Sequence, residues 1–88
     1  MKRRKGKKIP KRQNIEIVKM YGILGEREYN GKHQTLELNM IRWKNAKKPV
    51  WDIRWWEDDT PIYGISLTDH MLTELGEMIP EVFKQEAK

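Results

Sequence analysis

Arg42-Trp43-Lys44-Asn45-Ala46-Lys47-Lys48-Pro49-Val50-Trp51-Asp52-Ile53-Arg54-Trp55-Trp56-Glu57 holds all four tryptophans of the chain. Five basic side chains, Arg42, Lys44, Lys47, Lys48 and Arg54, are interleaved with them, against Asp52 and Glu57. The second half, Val50 to Glu57, reads as a strand because its residues alternate in kind. Trp51, Ile53 and Trp55 point one way; Asp52, Arg54 and Trp56 point the other. The first set reads as core, with Trp55 near the strand end. The second sets a guanidinium beside an indole on the outer face. Asn45 to Pro49 reads as a basic turn leading into this strand. Indoles stack on bases and Lys and Arg neutralise phosphates, so one surface carrying both suits single-stranded nucleic acid. The plainer alternative is a Trp-rich core beside a solvated loop.

Upstream, Gln34 to Lys44 reads as a second strand, with Leu36, Leu38 and Met40 on one parity and Glu37, Asn39, Ile41 and Trp43 on the other. Tyr29-Asn30-Gly31-Lys32 predicts a hairpin turn, since Asn-Gly tolerates positive φ. Before it, Ile15 to Glu28 has the residue types of a strand, with imperfect alternation. Gly22 and Gly25 suggest a bulge or bend there. Downstream, Glu57 to Pro61 reads as an acidic loop and Ile62 to Leu67 as a fourth strand. Thr68 is placed to cap a helix, with Asp69 favourable in its first turn. Met71, Leu72, Leu75, Met78 and Ile79 then recur at helical spacing. Leu72, Leu75 and Ile79 are expected in the core or in a dimer interface. Pro80 is expected to end or kink the helix near Ile79, with Val82 and Phe83 in a short second helical piece. The fold class expected is α+β, a four-stranded antiparallel sheet followed by a C-terminal helix.

The length of 88 residues suits one small domain. A domain this small buries a modest core, so dimerisation is a natural source of more. Absence of cysteine excludes disulfides and thiolate metal sites. No apolar run is long enough for a membrane span, and the basic N-terminus lacks the apolar stretch of a signal peptide. The net charge of +5 is unevenly spread. Residues 1–12 hold Lys2, Arg3, Arg4, Lys5, Lys7, Lys8, Lys11 and Arg12 and no acid, leaving residues 13–88 mildly acidic. Residues 1–14 are therefore expected to form a disordered basic arm that adds salt-sensitive phosphate contacts, or else a solubilising or targeting tail. Residues 15–88 are expected to form the domain. His33 and His70 are single and apart, and Glu57, Asp58 and Asp59 read as a solvated loop. No enzymatic activity, metal or cofactor is expected.

In order along the chain come Glu37-Leu38-Asn39, Trp43, Asp52-Ile53-Arg54, Trp56 and Gly64-Ile65-Ser66-Leu67-Thr68. This set, with four strands then one helix, resembles the single-stranded-DNA-binding fold of the transcriptional coactivator p15 (positive cofactor four) family, especially its small bacterial relatives. The resemblance covers about Ile15 to Ile79. It implies a strongly curved sheet and a homodimer paired largely through the helices, with the sheets offering channels to single strands or unwound duplex. By position, Trp43 and Lys44 match the family's aromatic-basic pair, Arg54 the arginine of Asp-Ile-Arg, and Trp56 the bacterial aromatic two residues later. Lys47 and Lys48 fall in the basic turn. Trp55 is larger than the polar residue relatives often carry. The loop from Glu57 lacks the lysines they carry there, and Pro80 falls in the helix used for pairing.

The function expected is sequence-tolerant binding of single-stranded DNA, in transcription regulation or another DNA transaction. Trp43 and Trp56 are expected to stack bases, each stacked base contributing about 1–3 kcal/mol. Arg42, Lys44, Lys47, Lys48 and Arg54 are expected to contact phosphates or stack. The setting expected is intracellular, nucleoid-associated in a bacterium or nuclear in a eukaryote. Two alternatives stand beside this. One is RNA binding, which stacking and phosphate contact do not separate from DNA binding. The other is a protein-interaction module anchored by exposed aromatics.

Overall fold

Asn30 and Gly31, at φ 52° and 76°, adopt the left-handed conformations that the first hairpin demands. They join β1 (Ile15–Tyr29) to β2 (Lys32–Trp43) in the computed structural model, which describes residues 15–87. The expected basic arm lies outside the described residues. β3 (Val50–Glu57), β4 (Thr60–Leu67) and α1 (Asp69–Glu86) complete the order. The strands form one open antiparallel sheet ordered β1-β2-β3-β4, the α+β arrangement expected. β4 starts at Thr60 rather than Ile62, so the acidic loop contracts to Asp58-Asp59, with Asp58 at φ 57°. Pro61 sits on this edge strand, where an absent N–H is tolerated.

β1 is the irregular strand. Its pairing with β2 slips between Ile17 and Lys19, Met20 and Gly22, and Ile23 and Gly25. Val18, Tyr21 and Leu24 are thus the extra residues. Each bulge bends the strand and resets which residues face which side, and this is why alternation in β1 is hard to read.

β2 and β3 pair without a break, so their residues fall into two faces. Leu36, Leu38 and Met40 stand opposite Trp55, Ile53 and Trp51. Thr35, Glu37 and Asn39 stand opposite Trp56, Arg54 and Asp52. The parities match expectation, but their burial is reversed. Asp52, Arg54 and Trp56, expected outside, are buried at 0%, 7% and 0% exposure. Trp51, Ile53 and Trp55, expected as core, are only partly buried. The buried apolar side chains are Ile15, Ile41 and Trp56, with Ile17, Trp43 and Val50 packed against them.

The partial exposure of the apolar set has a physical cause in the helix. α1 starts as expected, with Thr68 Oγ1 accepting from the Met71 N–H at 3.1 Å. Trp51 Nε1 donates to Asp69 Oδ1 at 2.6 Å, tying the first turn to the apolar face. Beyond that turn the helix leaves the sheet. It has no buried residue, and Leu72 is its one partly buried side chain. Leu75 and Ile79, offered as core or interface, are exposed, as are Met71, Met78, Val82 and Phe83. The helix does not end near Ile79, since α1 runs through Pro80 to Glu86. The carbonyl four residues before a helical proline loses its donor. Here it belongs to Gly76, which is exposed, so water can satisfy it. Among the described residues no helix is long and apolar enough to cross a membrane.

Gly64 faces Arg54 across the β3–β4 pair. A Cβ at this position would press on the Ile53 carbonyl oxygen and lie 2.5 Å from Arg54 Cα. Backbone atoms of a central strand cannot retreat, so Gly64→Ala should cost about 1–3 kcal/mol, the usual range for overpacking. Urea denaturation should show a lower midpoint with an unchanged slope; an unchanged midpoint would contradict the close approach.

Candidate nucleic-acid interface

Trp43 ends β2, where it pairs with Ile15. Ile15, the first described residue, packs beside this indole. Ala46 N–H donates to the Trp43 carbonyl at 2.9 Å, and Asn45 takes φ 71°. Together they fold the basic turn back against the end of β2. Lys44, Lys47 and Lys48 are all exposed in that turn and form no ion pair among the described residues. Arg42 Nη2 pairs with Glu16 Oε1 at 2.8 Å. Both side chains are well exposed, so the pair contributes at most about 1 kcal/mol and can yield to a phosphate.

The Trp43 ring is held from behind. Its Nε1–H donates to Ser66 Oγ at 3.1 Å. Ser66 in turn donates to Asp52 Oδ1 at 2.9 Å. Asp52 also accepts from Arg54 Nε and Nη2, both at 2.9 Å, the two-bond geometry that suits a guanidinium and a carboxylate. The guanidinium carbon of Arg54 stands 5.4 Å from the centre of the Trp43 ring, within cation–π range. Beside this group, Glu37 accepts from Thr35 Oγ1 at 2.6 Å and Asn39 Nδ2 at 3.1 Å. That bond fixes the Asn39 amide and leaves its Oδ1 without a donor among the described residues.

The expected site is therefore divided. Arg42, Trp43, Lys44, Lys47 and Lys48 come together at one end of the sheet. Arg54 lies beneath them, with its charge engaged by Asp52. Trp56 does not join the group. It faces Thr35 and Pro61 near the other end of β3, fully buried, and in this conformation offers no face to a base. Lys2, Arg3, Arg4, Lys5, Lys7, Lys8, Lys11 and Arg12 lie outside the described residues.

A second aromatic-cation group on the opposite face escaped the sequence reading. Arg27 lies 3.9 Å from the centre of the Trp55 ring. Its Nη2 donates to Tyr63 Oη at 3.0 Å and its Nε to Gln34 Oε1 at 2.7 Å. Its signal was hidden because three bulges precede Arg27 in β1 and its face cannot be counted from the sequence. Acids surround this end: Glu26, Glu28, Glu57, Asp58 and Asp59, against Arg27 and Lys32. His33 sits between Glu26 and Glu28 at 3.3 and 2.8 Å. The hairpin turns at residues 30–31 and 58–59 share this end, opposite the basic turn. The sheet thus carries opposite charge at its two ends, and a polyanion is favoured only at the Trp43 end.

No family model, curated protein or solved structure matches the chain.

Removing Asp52 would leave a guanidinium buried without its counter-charge. Asp52→Ala should therefore destabilise the protein by about 3–5 kcal/mol, read as a shifted chemical denaturation midpoint. A loss below about 1 kcal/mol, the value of an exposed pair, would show that water reaches Arg54 in solution.

Proposed function

We propose that the chain binds single-stranded DNA with little sequence preference, and that it does so at the Trp43 end of the sheet. The observation that carries this is the grouping of a partly exposed indole with Lys44, Lys47 and Lys48 at the end of the sheet where Ile15 pairs with Trp43. Trp43 stacks a base, the lysines and Arg42 meet phosphates, and the arm adds further phosphate contacts. Trp56 takes no part while it remains buried. The resemblance to the coactivator p15 fold supports the same reading, since that fold also has four strands and a helix in this order. A DNA transaction such as transcription regulation, in an intracellular setting, follows from the reading. Nothing in the group reads a 2′-hydroxyl, so RNA of matched sequence is the first competitor to test.

The second part of the proposal is a homodimer. The partly buried Leu36, Leu38, Met40, Trp51, Ile53 and Trp55 adjoin exposed Ile65 on one sheet face, and the helix stripe from Met71 to Phe83 is exposed as well. Exposed apolar surfaces of this kind mark interaction sites. A second copy, carrying the same surface, is a self-complementary cover for it.

With a fluorescent oligothymidine of about 20 nucleotides, a length spanning one or two typical single-strand sites, the full chain should prefer single strand to duplex. Trp43→Ala should weaken binding on the order of 10–100-fold, the worth of one stacked base. Replacing Lys44, Lys47 and Lys48 by Gln should lower the slope of log affinity against log salt by about 2, at about 0.7 for each lost contact. Equal binding of both DNA forms, indifferent to Trp43→Ala, would reduce the interaction to charge alone. Tighter binding of the matched RNA would favour the RNA reading.

Sedimentation equilibrium should give a dimer that Leu75→Glu with Phe83→Glu converts to monomer. A monomeric wild type at micromolar concentration would count against self-pairing and favour a different protein on that face.

A further inference from the structure

The lock beneath Trp43 changes what the arginine of Asp52-Ile53-Arg54 can do. A phosphate-binding arginine should offer an uncompensated charge to solvent. Arg54 offers neither, being 7% exposed and joined to Asp52 by two bonds at 2.9 Å. The Trp43 ring lies beside it, 5.4 Å from the guanidinium carbon. The other edge of the indole is held by Ser66, which is itself held by the same carboxylate. Asp52 therefore anchors both supports of one aromatic ring. Gly64 permits β4 to lie close enough for Ser66 to reach, because it faces Arg54 with no side chain.

We propose that Arg54, Asp52 and Ser66 are positioning residues that pre-orient Trp43 for base stacking, and that Arg54 makes no phosphate contact. This deepens the nucleic-acid reading above and rests on it. A free indole must lose rotamer freedom when a base stacks on it. An indole already held by a hydrogen bond and a guanidinium within cation–π range has lost that freedom before the strand arrives. The lock thus serves affinity for bases and leaves affinity for phosphates untouched. Arg42, Lys44, Lys47 and Lys48 carry the charge part alone.

The two roles separate when the same oligonucleotide is offered with and without its bases. The full-length protein would be titrated with oligothymidine and with an abasic strand of equal length, each across a series of salt concentrations. The variants are Ser66→Ala, Arg54→Gln and, as the charge reference, Lys47→Gln. Ser66→Ala and Arg54→Gln should each weaken oligothymidine binding about 5- to 10-fold, within the worth of one stacked base. Both should keep the wild-type salt slope and the wild-type affinity for the abasic strand. Lys47→Gln should weaken binding to both strands and lower the slope by about 0.7.

Arg54→Gln leaves Asp52 buried without its cation. Ser66→Ala keeps the ion pair and removes only the hydroxyl, so it decides the matter if the first variant fails to fold. A salt slope lowered by Arg54→Gln as much as by Lys47→Gln would overturn the proposal and return Arg54 to the phosphates. Oligothymidine binding unchanged in Ser66→Ala would overturn it as well. A wild type that binds neither strand would instead remove the nucleic-acid reading, and the positioning role with it.

Discussion

Taking a carboxylate and a guanidinium out of water together is what the rest of this sheet is arranged around. The Asp52–Arg54 pair is worth having only if its geometry is good and its remaining bonding capacity is met, because desolvation otherwise outweighs the attraction. The geometry is two-bonded, and Asp52 gains a further bond from Ser66, its neighbour in register. One row across three strands is Glu37, Arg54 and Gly64; the next is Asn39, Asp52 and Ser66. Three short stretches of sequence, Glu37-Leu38-Asn39, Asp52-Ile53-Arg54 and Gly64-Ile65-Ser66, are thus two cross-strand rows of one polar layer. Each stretch supplies one residue to each row. The intervening Leu38, Ile53 and Ile65 face the other side.

Such a layer constrains the backbone more than an apolar one does. Apolar side chains tolerate sliding by a fraction of an ångström. The bonds between Asp52, Arg54, Ser66 and Trp43 are directional, and a shift of β4 relative to β3 would break several together. Close approach at Gly64 is the steric counterpart of that requirement. The polar rows therefore set the β2–β3–β4 register, and through it the position of Trp43 above the basic turn.

Element order was legible in the sequence, and so were the Asn30-Gly31 hairpin, the bounds of β3 and the Thr68 cap. Each follows from local chemistry acting over a few residues. Alternation also sorted β2 and β3 into their two sets. It could not say which set is covered, because covering is a property of the partner element. An apolar set is expected inside only if something packs on it, and α1 departs after one turn. The apolar set of β3 is therefore only partly covered, while Trp56 and Arg54 on the other face are buried. Pro80 does not end the helix, which runs on to Glu86; the Gly76 carbonyl that loses its donor is exposed, so part of the cost is met by water. Within the candidate site, the lysine turn and Trp43 were legible from type and spacing. The roles of Asp52 and Ser66 were not, since residues fourteen apart in sequence meet only once β3 and β4 are in register. Arg27 was hidden by the bulges that precede it.

A sheet with its polar layer buried and its apolar layer open has an unusual source of stability. Buried ion pairs and hydrogen bonds specify register, yet their net contribution to folding is small beside that of apolar burial. The buried apolar side chains of the described chain are Ile15, Ile41 and Trp56 alone, too few to offset the conformational entropy of a domain this size. The apolar surface that could make up the difference is the open face with the helix stripe. On the proposed pairing, that surface is buried only between copies, so folding and association become one equilibrium whose midpoint rises with protein concentration. The two faces then have separate duties: the open face assembles the protein, while the polar layer holds one indole and its lysines in place at the rim.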